Sequence, residues 1–146
     1  MPFTIEETVL VATPAETVWK LLQNPWTWPQ WWTACHDART LDRKPIRDGS
    51  ELRLTLRPSF VTLTFRAKVQ VAQPERALIW SGTATGVSGR HAFYLEARPN
   101  GTQVREREEF EGPLVGLWRL LGQAGATRRM FQQNLRGLKR FAERGG

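Results

Sequence analysis

The clearest candidates for a chemical role in this chain are acids on what reads as a strand. Val104 and Phe110 share one phase of a period-two pattern, and Thr102, Glu106 and Glu108 fall in that same apolar phase. Glu7 does likewise among Phe3, Ile5, Val9 and Val11. Burying an unpaired carboxylate costs several kcal/mol or raises its pKa instead, so acids in an inward phase demand partners. The alternative is a β-bulge that turns Glu106 or Glu108 to solvent, beside Arg105 and Arg107 on the opposite phase in cross-strand ion pairs. An interior position is expected of Glu108 more than of Glu106.

His36 and His91 are the two histidines. His91 shares a face with Phe93 and Leu95, where an imidazole is either packed and hydrogen-bonded or oriented by an interior Glu as a general acid or base. Glu108 and His91 are therefore the candidate catalytic residues. No metal is expected, because no His-x-x-x-His or similar spacing is present. Cys35 has only His36 beside it as a base, a weak basis for a thiolate nucleophile. With no nucleophile elbow, phosphate-cradling glycine loop or dinucleotide fingerprint, no cofactor is expected either.

Several elements must position these groups. Residues 3 to 11 read as a half-buried strand. Thr13-Pro14-Ala15-Glu16 then supplies an N-cap, a proline at the first helical position and an acid in the first turn. The helix that follows turns Val18, Leu21 and Leu22 inward with Trp19 beside them, and Asn24-Pro25 stops it. PWTWPQWW reads as a second short helix begun after Pro25 or Pro29. Strands are expected at Cys35 to Leu41, Glu51 to Leu56, Val61 to Val71, Ala77 to Thr83 and Arg90 to Ala97, with a last one opening at Thr102. Val61, Leu63, Phe65, Ala67, Val69 and Val71 face one way. Short turn-rich connections favour an antiparallel meander. After Gly112-Pro113 the period becomes helical to about Ala142. Leu117, Leu120, Ala124, Phe131, Leu135, Leu138 and Ala142 form one stripe, and a break is expected near Gly122 to Gly125.

The chain has 146 residues, 40% hydrophobic, with a formal charge of +7. That length suits one domain, residues 1 to 146, with a sizeable core. A disulfide within the chain is excluded because Cys35 has no partner. The opening MPFTIEETVL lacks the bases of a secretory leader and no apolar run reaches a membrane span, so a cytoplasmic protein is expected. From residue 114 onward seven bases stand against Glu143 alone. They are either the solvated face of an amphipathic helix or a contact for an anionic membrane. Nucleic acid is not expected, since the bases are not interleaved with aromatics. Seven Trp are present, and Trp26, Trp28, Trp31 and Trp32 crowd one stretch.

The order strand, two short helices, six strands, long helix resembles the SRPBCC superfamily, the START-like or polyketide-cyclase-like helix-grip domains. The match runs over Pro14 to Trp19, Trp28 to Trp32, Gly49, Leu52, Pro74 and Leu78 to Trp80. It continues through His91-Ala92-Phe93, Gly101-Thr102, Glu108 to Gly112 and Leu138-Lys139. The resemblance implies an α+β fold: a seven-stranded curved antiparallel sheet wrapped around the long C-terminal helix, with two short helices between strands 1 and 2. It also implies a cavity between sheet and helix for an apolar, lipid- or polyketide-like small molecule.

In that fold the first and last strands are neighbours, which brings Glu7, Glu106 and Glu108 together. Glu108 then pairs with His91 or with Arg128, which lies roughly 60° from the stripe centre at about 100° per residue. The expected lining is Leu54, Leu56, Leu63, Phe65, Trp80, His91, Phe93, Glu108, Phe110, Leu117, Arg128 and Phe131. Trp28 and Trp32 stand near the mouth, either as a cover or as core that plugs the open end. Binding by a monomer or homodimer is the leading expectation. The alternatives are an enzyme resembling the polyketide cyclases or aromatases, and an interaction module resembling the chaperone-ATPase activators that uses the tryptophan-rich surface or the basic helix.

Overall fold

The computed structural model describes residues 3–57, 62–84 and 86–145, with only the backbone of Ala84, Trp118 and Ala124. Val61, expected at the start of the third strand, lies outside the described residues, as does the side chain of Ala124 in the helical stripe.

Strand β1 (Phe3–Val11) leads into helix α1 (Ala15–Gln23) and a 3-10 helix (Pro25–Gln30). Then come β2 (Cys35–Thr40), β3 (Glu51–Leu56), β4 (Leu63–Gln73), β5 (Ala77–Ala84), β6 (Val87–Arg98) and β7 (Gly101–Glu111). Helices α2 (Val115–Leu120) and α3 (Gln123–Glu143) close the chain. The strands form one antiparallel sheet in the order β1-β7-β6-β5-β4-β3-β2. It is the expected α+β architecture, with the curved sheet gripping α3.

α1 begins without the side-chain cap expected of Thr13, whose buried carbonyl instead accepts the Thr102 hydroxyl at 2.7 Å. Pro25 opens the 3-10 helix. A bulge between Val69 and Val71 resets β4, so that Ala72 rather than Val71 joins Leu78 on the inner face while Val71 pairs with Ile79 on the other. The strict alternation expected to Val71 therefore ends at Val69.

The second correction concerns the C-terminal stripe. Gly122, in the left-handed region at φ 76, separates α2 from α3. Because α2 does not continue the phase of α3, Val115 turns inward while Leu117 and Leu120 are 52% and 82% exposed. Leu117 is thus no lining residue. On α3 the buried face is Phe131, Asn134, Leu135, Gly137, Leu138 and Ala142.

Candidate functional site

The register of the sheet builds the site in two rows. On the inner face Val69, Trp80, His91, Glu108 and Ile5 stand opposite one another across β4, β5, β6, β7 and β1. The next row carries Leu78, Phe93, Glu106 and Glu7. His91 is therefore directly opposite Glu108 and diagonal to Glu106, within reach of both. Its Nδ1 lies 2.7 Å from Glu108 Oε1 and its Nε2 lies 2.9 Å from Glu106 Oε2. Asn134 reaches down from α3, its amide 3.5 Å from the same Glu106 oxygen.

Aromatic rings enclose the imidazole. Trp80 stacks on it at 4.4 Å with planes 8° apart, and Phe93, Phe131 and Trp32 stand at 5.1, 5.3 and 5.7 Å. Burial works against a charge on His91, but the adjacent Glu108 charge and hydrogen bonds to both carboxylates outweigh it and raise the pKa to about 9. Burial likewise pushes Glu106 above the usual carboxylate range, with His91 opposing. As an imidazolium, His91 donates from Nδ1 to Glu108 and sets Nε2 in ion-pair contact with Glu106, inside a low-dielectric wall.

Of the two acids, Glu106 is the deeper: it is wholly buried, whereas the Glu108 side chain is 18% exposed at the rim. This reverses the expectation that Glu108 is the more interior one. No bulge intervenes between them, so both stay on the inner face. Glu108 takes His91, not Arg128. The Arg128 guanidinium, half exposed, meets Glu7 at 3.3 Å, and Gln132 donates to the same oxygen at 3.2 Å. Glu7, opposite Glu106 on the edge strand β1, thus gives its carboxylate to α3.

Of the residues expected to line a cavity, Leu54, Trp80, Phe93, Phe110 and Phe131 are buried, while Leu56, Leu63 and Phe65 are half-buried near the far edge of the sheet. Trp28 and Trp32 are fully covered, with Trp28 stacked on Trp80 at 5.1 Å, so they belong to the core rather than to a mouth. Trp31 is buried too, leaving Trp26 alone of the four at the surface, 49% exposed. The tryptophan-rich surface needed by an interaction module is therefore an interior one. His36, at a bulge in β2, is exposed. Burial and the Asp37 charge push the Cys35 thiol up to about 12, which removes it as a nucleophile.

The sequence reading missed Asn134. Its signal was present: a polar residue beside Leu135 and one helical turn from Leu138, both in the apolar stripe. Two further features went unread. Gly89 lies against Glu108 Oε2, so a side chain there would displace the carboxylate. Among the described residues, Glu106 Oε1 and Asn134 Oδ1 are buried acceptors without a partner, and the Trp31 and Trp32 Nε1 atoms are buried donors without one. The two carboxylates sit on opposite nitrogens of one ring rather than converging on a point, and the described residues form no metal-ligand group.

The arrangement has counterparts in fold. The Zhui aromatase/cyclase from Streptomyces sp. R1128 superposes with a TM-score of 0.83 at 17% identity, over 99% of this chain and 95% of that one. The di-domain ARO/CYC StfQ from the steffimycin biosynthetic pathway gives 0.79 at 16% identity, and this chain spans 99% of itself but 52% of that longer protein. TTHA0849 from Thermus thermophilus gives 0.79 at 13% identity over 99% of both chains. No curated protein matches in sequence. The family model for polyketide cyclase / dehydrase and lipid transport matches residues 2–143. With that match over nearly its whole length, and the helix-grip architecture built as described, the chain belongs to the polyketide cyclase / dehydrase and lipid transport family.

Proposed function

We propose that the protein binds an apolar small molecule bearing both hydroxyl and carbonyl oxygens, against the inner aromatic wall, with Glu106, Glu108 and Asn134 meeting its polar end. One observation carries the reading: an imidazole clamped between two acids inside an aromatic interior, beside buried polar atoms whose hydrogen bonds are unmet. Ordinary packing does not call for this. A buried ion pair rarely adds stability over an apolar replacement, and unmet buried acceptors cost about 1–3 kcal/mol each. Glu106 Oε1 and Asn134 Oδ1 suit a ligand hydroxyl, and the Trp31 and Trp32 indoles suit a carbonyl. Glu108, the partly exposed member, is where a ligand first meets the triad.

Titration with 2-naphthol and with naphthalene, read by quenching of tryptophan fluorescence, tests this. The hydroxylated ring should bind several-fold more tightly, and Glu106→Gln with Asn134→Ala should erase the preference. Equal binding of the two rings, or binding of neither, refutes the proposal. A second reading, proton transfer beside a ligand carbonyl as in a cyclase, is favoured by the path Glu106–His91–Glu108, which links a buried acid to a rim acid through one ring. It predicts that Glu108→Gln stops turnover of a β-keto substrate while naphthol affinity stays within about twofold.

A further inference from the structure

The outward face of the sheet treats its arginines in two ways. On β1, β6 and β7 they alternate with acids: Arg107 stands opposite Glu6, Arg90 opposite Glu109, and Arg105 lies 3.2 Å from Glu6. On β2, β3 and β4 the pattern reverses. Arg39 stands directly opposite Arg53, and Arg53 directly opposite Arg66. Like charges directly opposite in a ladder are destabilising, and at strand spacings near 4.8 Å three guanidinium groups share a row of roughly 10 Å. Arg43, in the left-handed region at φ 61, lines the same cleft. Asp37 offsets Arg39 at 3.4 Å, but among the described residues no ion pair engages Arg43, Arg53 or Arg66. With Thr40 and Thr64 the four arginines line a cleft of about 570 Å³, and no acid lines it.

We propose that this cleft is a binding site for a phosphorylated small molecule. Guanidinium forks match phosphate oxygens two at a time, and Arg keeps its charge at any physiological pH. A row of three opposed arginines is an arrangement that a bound dianion would relieve, and the cleft volume falls in the range of small-molecule sites rather than of an extended polymer track. The net charge of the chain conceals the site, since the acids of the same strands and loops lie outside it: Asp42 holds Arg47, and Glu51 stands opposite Lys68. It is separate from the His91 triad, which lies on the other face of the sheet.

Calorimetric titration with pyrophosphate at constant ionic strength tests the site. One equivalent should bind, Arg53→Gln should weaken it by at least about tenfold, and Arg136→Gln on the outer face of α3 should leave it unchanged. The unliganded Arg53→Gln protein should melt at a higher temperature than wild type, because the central repulsion is gone, so lost binding cannot be ascribed to unfolding. Binding that survives Arg53→Gln, sulfate bound as tightly as pyrophosphate (an adventitious ion only), or a lower melting temperature in that variant overturns the proposal. A single-stranded oligonucleotide that outcompetes pyrophosphate at the same arginines overturns it as well.

Discussion

His91, Glu106 and Glu108 form one buried cluster, and their protons are linked. His91 has its folded pKa raised from 6.5 to about 9, so between those values the folded state binds a proton that the unfolded state releases. The stabilisation from that proton is fully present below about pH 6.5 and is lost as the pH climbs through 9. The melting temperature should accordingly fall between pH 7 and 9.5. Imidazole nitrogen shifts measured by NMR should titrate near 9 in wild type and at a lower pH in Glu108→Gln, where the largest favourable contribution is removed. A histidine that titrates at its ordinary value in wild type contradicts the clamp. Period-two phase turned His91 and Glu108 inward but left His91 and Arg128 as alternative partners of Glu108, and the β6/β7 register decides for His91. The greater depth of Glu106 was not legible, because phase says which face a residue takes and not how far the sheet curves over it. Glu106 lies beneath Asn134, whereas Glu108 lies beside Gly89 and is partly exposed.

α3 is where sequence pattern and packing diverge most. About Phe131, Arg128 and Asn134 lie roughly 60° to either side at about 100° per residue, so periodicity could not choose which one enters the site. The seating of α3 on the sheet decides it, and one close contact in that seating is at Gly137, where a Cβ would collide with the Trp31 carbonyl oxygen. Gly137→Ala should therefore destabilise the fold by about 1–3 kcal/mol despite the better helix propensity of alanine, because backbone meets backbone and neither can swing away. A variant as stable as wild type in urea would show that α3 does not rest on Trp31. α2 gives the opposite prediction. Leu120→Glu should change stability by no more than about 0.5 kcal/mol, although the stripe drawn from residue 117 to 142 placed Leu120 inside. The left-handed Gly122 breaks that stripe, and nothing short of the backbone conformation reveals the break's angle.

The whole molecule depends on its two ends meeting. β1 and β7 pair over residues 3–11 and 102–110, and Lys139 and Glu143 of α3 bond back to Leu10 and Ala12. Short connections pointed only to an antiparallel meander; that its first and last strands meet was expected from the resemblance to the helix-grip domains, and the β1/β7 register bears it out. The arginine row stayed hidden, because it needs the register of three strands at once. One consequence is energetic. Trp28, Trp32, Trp80, Leu52, Leu54 and Leu138 belong to one buried cluster drawn from the 3-10 helix and the turn after it, β3, β5 and α3, so the sheet and α3 share one core. We propose that residues 1–146 unfold as one cooperative unit. Leu138→Ala should remove about 2–5 kcal/mol and should shift the urea midpoints seen by tryptophan fluorescence and by far-ultraviolet circular dichroism equally. Fluorescence follows the ring cluster around Trp80, and dichroism follows all strands and helices together. Two separated midpoints would mean that the sheet survives without its helix, and that the shared core does not bind them into one folding unit.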